Sequence, residues 1–272
     1  FKLGLFCFII KTMSRALKQL LYGGVLILII AGAAVWIYRG SIFIAPTCSD
    51  GIQNQTEEGI DCGAICGISC EQKYLKELSY SNPQVFRLGD FASVYFDLDN
   101  PNQNFGLKNF KYTMDFYSST GKLLKSIEGQ SFIYPGQNKD SKSGNKKIIE
   151  AGLRVIGDIK SVKISFSNIN WEPSSEFRSM KLENQNMKTS KEGDFFIISG
   201  AIKNLVSFTV PQVVINAFLK DASGKILGVS KNELSQLLPF EEREYKVSVA
   251  IEKDSEPSVD FSSTEAFIYP IY

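Results

Sequence analysis

Two hydrophobic patterns divide the chain. Over residues 20–38 the apolar positions are continuous, 19 residues without a charge. At about 1.5 Å per residue such a run spans about 28 Å, close to the ~30 Å hydrocarbon core of a bilayer, and it predicts one transmembrane helix. Tyr22, Trp36 and Tyr38 lie near its ends, where amphipathic rings favour the headgroup layer. Gly23, Gly24, Ala31, Gly32, Ala33 and Ala34 give it a small-residue face on which a second helix can pack. From Tyr74 onward the apolar positions alternate instead. Phe110, Tyr112, Met114 and Phe116 fall on one side of an extended segment and Lys111, Thr113 and Asp115 on the other, and Ser118-Ser119-Thr120-Gly121-Lys122 then turns the chain. Further strands are predicted over residues 123–127, 132–134, 148–149, 162–166 and 266–269, and a short connecting helix over 71–78.

The same grammar returns about a hundred residues on. Val213, Ile215, Ala217 and Leu219 alternate, Asp221-Ala222-Ser223-Gly224-Lys225 supplies the matching turn, and Ile226-Leu227 restarts the strand. Asn204 corresponds to Asn100, Gly224 to Gly121 and Pro239 to Pro135, at an offset of 103 to 104 residues. This register predicts an internal duplication. The expected fold class is therefore an all-β ectodomain of two tandem immunoglobulin-like β-sandwiches, at residues 73–172 and 180–272, joined by a polar linker at 173–179. One transmembrane α-helix and a small disulfide-rich segment at residues 39–72 precede them.

Charge orients the chain. Lys2, Lys11, Arg15 and Lys18 precede the apolar run with no acidic residue among the first nineteen, whereas Asp50, Glu57, Glu58, Asp61 and Glu71 accumulate between Arg39 and Lys73. Positive flanks stay inside, so the N-terminus is expected in the cytoplasm and the rest outside a cell membrane crossed once. Taking the five basic residues up to Arg39 from the total of 30 leaves 25 against 29 acidic, and a mildly acidic ectodomain has no nucleic-acid footprint. Ala31-Gly32-Ala33 also offers a small-x-small signal-peptidase site, but the apolar run continues through Val35, Trp36 and Ile37, which favours a retained anchor. Ile44-Ala45-Pro46-Thr47-Cys48 lacks the small residue expected before a lipidated cysteine. Met13 stands just before the basic flank, so residues 1–12, with Cys7, read as an upstream extension outside the native protein and 1–19 as the basic cytoplasmic tail.

Cys48, Cys62, Cys66 and Cys70 follow the helix with the spacing C-x13-C-x3-C-x3-C. Outside the membrane thiols are oxidised, and two disulfides allow three pairings, which spacing alone leaves open. Four thiolates on zinc is the competing arrangement, at odds with the usual paired C-x2-C spacing and with the compartment. Asp50, Asn54 and Asp61, with Glu57 and Glu58, supply the hard oxygen ligands that calcium takes, though in no EF-hand spacing. The alternative is that Asp50 and Asp61 cap turns through their own side chains.

Two stretches carry family resemblances. Cys48-Ser49-Asp50-Gly51-Ile52-Gln53-Asn54 with Glu58-Gly59-Ile60-Asp61-Cys62-Gly63 resembles a short cysteine motif of bacterial surface proteins, with Ala64 where relatives often have a further glycine. That resemblance implies a juxtamembrane spacer. Gly200-Ala201-Ile202-Lys203-Asn204, the stretch from Val213 through Lys225, and Leu237-Leu238-Pro239 resemble the FxLyD group of bacterial immunoglobulin-like domains. Leu219 and Asp221 match that group's corner, while Ala217 and Lys220 occupy its aromatic positions. The first copy keeps Phe116 and Tyr117 and has Ser118 in place of the aspartate. The resemblance implies a fold and transfers no active site.

Inventory narrows the chemistry. The chain has no histidine, which removes Ser-His-Asp and Cys-His nucleophile systems. Asp97 and Asp99 share one strand face, but Phe96 and Leu98 between them read as core residues and the carboxylates as solvated. Most of the 20 Phe and 11 Tyr are expected to fill β cores. Asn54-Gln55-Thr56 is formally a glycosylation sequon. The expectation is a non-enzymatic, membrane-anchored extracytoplasmic protein for adhesion, scaffolding or envelope assembly with a protein partner. No cofactor is called for, and the sequence leaves a small-molecule ligand open. An accessory subunit of a secretion or pilus system, and a glycan- or peptide-binding module, are the alternatives.

Overall fold

The computed structural model describes residues 14–42, 48–54, 56–81, 83–136 and 145–271. The extension at residues 1–12, Ile44-Ala45-Pro46-Thr47 and Gln55 of the sequon lie outside the described residues. The chain divides into two compact units, one up to Tyr74 and one from Leu75.

In the first unit, helix α1 (Arg15–Ile42) is 28 residues long, about 42 Å at 1.5 Å per residue. It starts before the predicted span, because Ser14 Oγ accepts from Leu17 N–H as an N-cap and residues 15–19 contain no helix breaker. It is the one helix among the described residues long and apolar enough to cross a membrane, and its large side chains, Trp36 and Leu28 among them, are exposed. Helix α2 (Cys70–Lys73) is capped by Ser69, whose Oγ accepts from Gln72 N–H. It is shorter than the predicted 71–78. In the second unit the backbone N–H and C=O of Lys76 are both held by the side-chain amide of Asn102, at 2.8 Å each, which fixes that residue in an extended pairing.

The strands of the second unit pair antiparallel throughout, with three short 3-10 turns between them among the described residues. In its first half the strands are β1 (Ser79–Tyr80), β2 (Gln84–Leu88), β3 (Phe91–Asp99), β4 (Phe105–Tyr117), β5 (Leu123–Ile133), β6 (Asn145–Arg154), β7 (Ser161–Ser167) and β8 (Glu172–Pro173). β3 pairs with β1, β2 and β6 in one sheet, and β4 lies between β5 and β7 in the other, with β8 on its first residues. Val94, Phe96 and Leu98 of β3 meet Phe110, Met114 and Phe116 of β4 in one buried cluster, as their alternation predicts. The second half comprises β9 (Leu182–Glu192), β10 (Phe195–Asn204), β11 (Val210–Lys220), β12 (Ile226–Leu237), β13 (Glu242–Val249) and β14 (Glu265–Ile271). Its sheets have the orders β13-β10-β9 and β12-β11-β14, and Ile198 and Ile202 of β10 meet Val213, Ile215 and Leu219 of β11 in a second cluster. The strands run longer than predicted. β5 is continuous where two separate segments were expected.

Both halves use the same local devices. Asn100, 2 % exposed, donates from Nδ2 to the carbonyls of Phe105 and Tyr134, and its Oδ1 accepts from Asn102 N–H. Asn204, fully buried, donates to the carbonyls of Phe208, Leu237 and Leu238, and its Oδ1 accepts from Val206 N–H. The β4–β5 turn closes with Ser118 N–H on Lys122 O and Lys122 N–H on Ser118 Oγ, and Asp221 with Lys225 repeats both bonds between β11 and β12. Tyr112 covers Gly129 in cross-strand register, as Tyr245 covers Gly200. A Cβ on Gly129 would stand 2.2 Å from Tyr112 Cζ, so Gly129→Ala forces the ring out of the core. The expected loss is about 2–3 kcal/mol, read from the denaturant midpoint.

The two halves are joined face to face. Tyr95 and Ile149, on the outer face of the β3–β6 sheet, form a third buried cluster with Phe218 and Val229 of β11 and β12. The rings of Tyr95 and Phe218 meet edge on at 5.0 Å. Lys147 Nζ is 5.1 Å from the Phe267 ring centroid and 2.8 Å from Asp97 Oδ1, and Asn216 Nδ2 donates to Lys147 O at 2.6 Å. Asp97, expected to be merely solvated, therefore sits at the margin of this contact, bonded to Lys147 and to the Tyr95 hydroxyl. The strand face that reads as polar is covered because the facing sheet brings its own aromatic residues to it.

Candidate functional site

The cysteine segment closes through interleaved disulfides, Cys48–Cys66 and Cys62–Cys70, with Cα atoms 5.5 and 4.8 Å apart. Paired sulfurs offer no thiolate, and the zinc arrangement is set aside. Cys62 is the only buried hydrophobic side chain in this segment among the described residues, so the bridges do the work of a core. Around them the carboxylates close turns. Asp61 adopts a left-handed conformation (φ 51°), and its Oδ1 accepts from the N–H groups of Asp50 and Gly51 at 3.1 Å while Oδ2 pairs with Lys73 Nζ at 3.0 Å. Glu57 Oε2 accepts from Asn54 and Asp61 N–H. Asp50 caps Ile52 N–H and accepts from Asn54 Nδ2, both at 2.9 Å. Asp50, Asn54 and Asp61 are thus brought into one network, in which the aspartate oxygens face N–H donors, and Asn54 Oδ1 is buried without a hydrogen-bond partner among the described residues. Ala64 opens a one-turn 3-10 segment, Ala64–Cys66, while the positive φ falls on Gly63 beside it.

A more unusual environment lies in the second unit. Two cavities of about 410 and 880 Å³ meet around Phe132 and Lys146. The smaller is lined by Tyr112, Gln130 and Ser131 of the first half and by Gln212, Asn216 and Lys231 of the second, the larger by Tyr134, Phe177 and Arg178 with Ile268 and Tyr269. Lys146 has the strand parity of the core residue Ile148 and is 6 % exposed. Its Nζ lies 3.3 Å from the Phe132 ring centroid, donates to Ser131 Oγ at 2.9 Å, and is 5.4 Å from the Tyr269 centroid. Burial, and after it the positive charge of Lys231, hold this ammonium well below the usual lysine range. Lys231 itself pairs with Glu150 at 3.0 Å, and Glu150 also accepts from the Tyr112 hydroxyl. The strand predicted over residues 148–149 extends back past Lys146, and its parity with Ile148 is the sequence signal that marks this lysine.

The tyrosines of this region resist ionisation. Tyr269 is pushed up to about 12 chiefly by burial, its hydroxyl oxygen accepting from Lys147 N–H at 3.0 Å. Tyr95 and Tyr112 are raised as well, by burial first and then by Asp97 and Glu150 respectively. A raised acid in the folded state contributes stability that is complete below the ordinary tyrosine value of ~10 and is lost as pH climbs through the folded value. An alkaline titration followed at the phenolate absorbance should show these three among 11 tyrosines ionising only together with unfolding, above about pH 10. Smooth titration of all tyrosines with the fold intact would contradict their burial.

No protein-family model matches the chain, and no curated protein matches it in sequence. Among solved structures, red sea bream transglutaminase aligns with 74 % of this chain and 32 % of its own, at 10 % identity and a TM-score of 0.21. The chain thus spans about a third of that enzyme, and a likeness of this size carries no argument about fold or activity.

Proposed function

We propose that this chain is a single-pass membrane protein whose β unit is held outside the membrane and acts by binding a protein partner, in adhesion, scaffolding or envelope assembly, without catalysis. The observation that carries the reading is the face-to-face joining of the two halves through Tyr95, Ile149, Phe218 and Val229, which turns residues from Leu75 onward into one preorganised body with a cleft between its halves. Preorganisation lowers the ordering cost of association and suits a holder of partners. The basic flank before α1 and the acidic stretch after it favour a cytoplasmic N-terminus, and oxidised cysteines agree with an extracytoplasmic location. The matching asparagine networks and turns, 103 to 104 residues apart, favour a duplicated immunoglobulin-like sandwich of the FxLyD kind. The disulfide segment serves in this reading as a stiff spacer.

The test is photocrosslinking in intact cells from a photoreactive residue placed at Asn109 or Gln103, on the cleft rims. Discrete protein adducts are expected from these positions. Adducts only from the small-residue face of α1 would favour the accessory-subunit alternative, and absence of any protein adduct would refute partner binding.

A further inference from the structure

We propose that the cleft at Lys146 is a binding site for a small amphipathic carboxylate, its head on the Lys146 ammonium and its apolar body along Ile133, Met180 and Ile268. The larger cavity, about 880 Å³, lies within the 300–1,000 Å³ range of small-molecule sites. Its described lining holds the buried Lys146 and no carboxylate, and Arg178, also in that lining, already has a partner. On the other side, Lys108 and Lys231 outnumber Glu233, and each is already bonded: Lys108 to Glu172, Lys231 to Glu150, Glu233 to Gln212. Tyr112 and Tyr269, which line the two cavities with Lys146, both resist ionisation. Lys146 itself is held by a hydroxyl and an aromatic face, with no anion paired to it among the described residues. A buried cation in that position is costly unless an anion joins it, and a carboxylate entering from the larger cavity would meet Lys146 with Ser131 beside it. The walls then ask for an apolar body, because Ile133, Pro135, Met180, Ile268 and Pro270 line the same space.

The test uses the full chain in lipid nanodiscs, titrated calorimetrically with sodium octanoate and with octan-1-ol, empty nanodiscs serving as the blank. Octanoate is expected to bind at least tenfold more tightly than the alcohol. Lys146→Met, which keeps the length and removes the charge, should abolish that preference without lowering the melting temperature. Met180→Trp leaves Lys146 in place but fills the cavity from its wall, and it should weaken octanoate at least tenfold. Equal binding of acid and alcohol by the unaltered protein, a preference that survives Lys146→Met, or indifference to Met180→Trp would each overturn the proposal.

Discussion

Replacing Asn204 by alanine is expected to destabilise the β unit by about 2–4 kcal/mol. The side chain is fully buried and satisfies four backbone groups at once: the carbonyls of Phe208, Leu237 and Leu238, and the N–H of Val206. Alanine removes the amide from the buried Leu237 carbonyl and from the half-buried Phe208 and Val206 groups, while the Leu238 carbonyl keeps the N–H of Glu241. Asn204→Asp sharpens the assignment, because a carboxylate can still accept from Val206 but has no N–H to give the three carbonyls, so it should cost at least as much as alanine. Asn100→Ala should cost a similar amount, since Asn100 serves the carbonyls of Phe105 and Tyr134 and the N–H of Asn102 in the same way. Chemical denaturation of the full chain measures all three. A shift below about 1 kcal/mol for Asn204→Ala would mean that its network is not a structural keystone of the second half.

Removing the Cys48–Cys66 bridge as the clean double substitution Cys48→Ser with Cys66→Ser is expected to open the juxtamembrane segment while leaving the β unit intact. The bridge closes a separation of 18 residues, for which the chain-entropy model gives about 3 kcal/mol. The segment has little else to hold it, since its buried groups are Cys62 and the carboxylates of Glu57 and Asp61 that close turns. Loss of the bridge should therefore expose Lys73, now paired with Asp61 and bonded to Ile60 O, to trypsin. The midpoint for residues from Leu75 onward should stay where it is, because the two units are separately compact. Rapid cleavage at Lys73 with an unchanged β transition is the expected pair of results; coincident loss of both would show that the β unit depends on the bridge.

Much of the architecture was legible before any coordinates. A run of apolar residues at every position allows only a helix or a buried strand, and its length decided for the helix. Alternation placed Phe96, Leu98, Phe110 and Met114 in the core because period two leaves them no other common face. What escaped has identifiable causes. β5 carries Lys125, Ser126, Glu128, Gly129 and Gln130 in its middle, polar residues on a sheet edge that break the pattern without breaking the strand. The pairing of the cysteines is a matter of distances that spacing does not encode. The contact between the halves is hidden on β3, where Asp97 and Asp99 read as a solvent face, yet β11 announces it: residues 213–219 are apolar on both sides except for Asn216, as in a strand covered twice. Lys146 escaped for the opposite reason. A lysine is assigned to the surface by default, and only its parity with Ile148, together with the covering half, places it inside.

The most direct test of an extracytoplasmic β unit is its labelling from outside. Ala222, exposed in the β11–β12 turn, can be changed to cysteine in the full chain without touching the Asp221 network. Intact cells are then treated with a membrane-impermeant maleimide. Labelling of the Ala222→Cys protein in intact cells, with none for the unaltered chain, in which Cys48, Cys62, Cys66 and Cys70 are paired, is the predicted result. Labelling of Ala222→Cys only after the cells are permeabilised would contradict it.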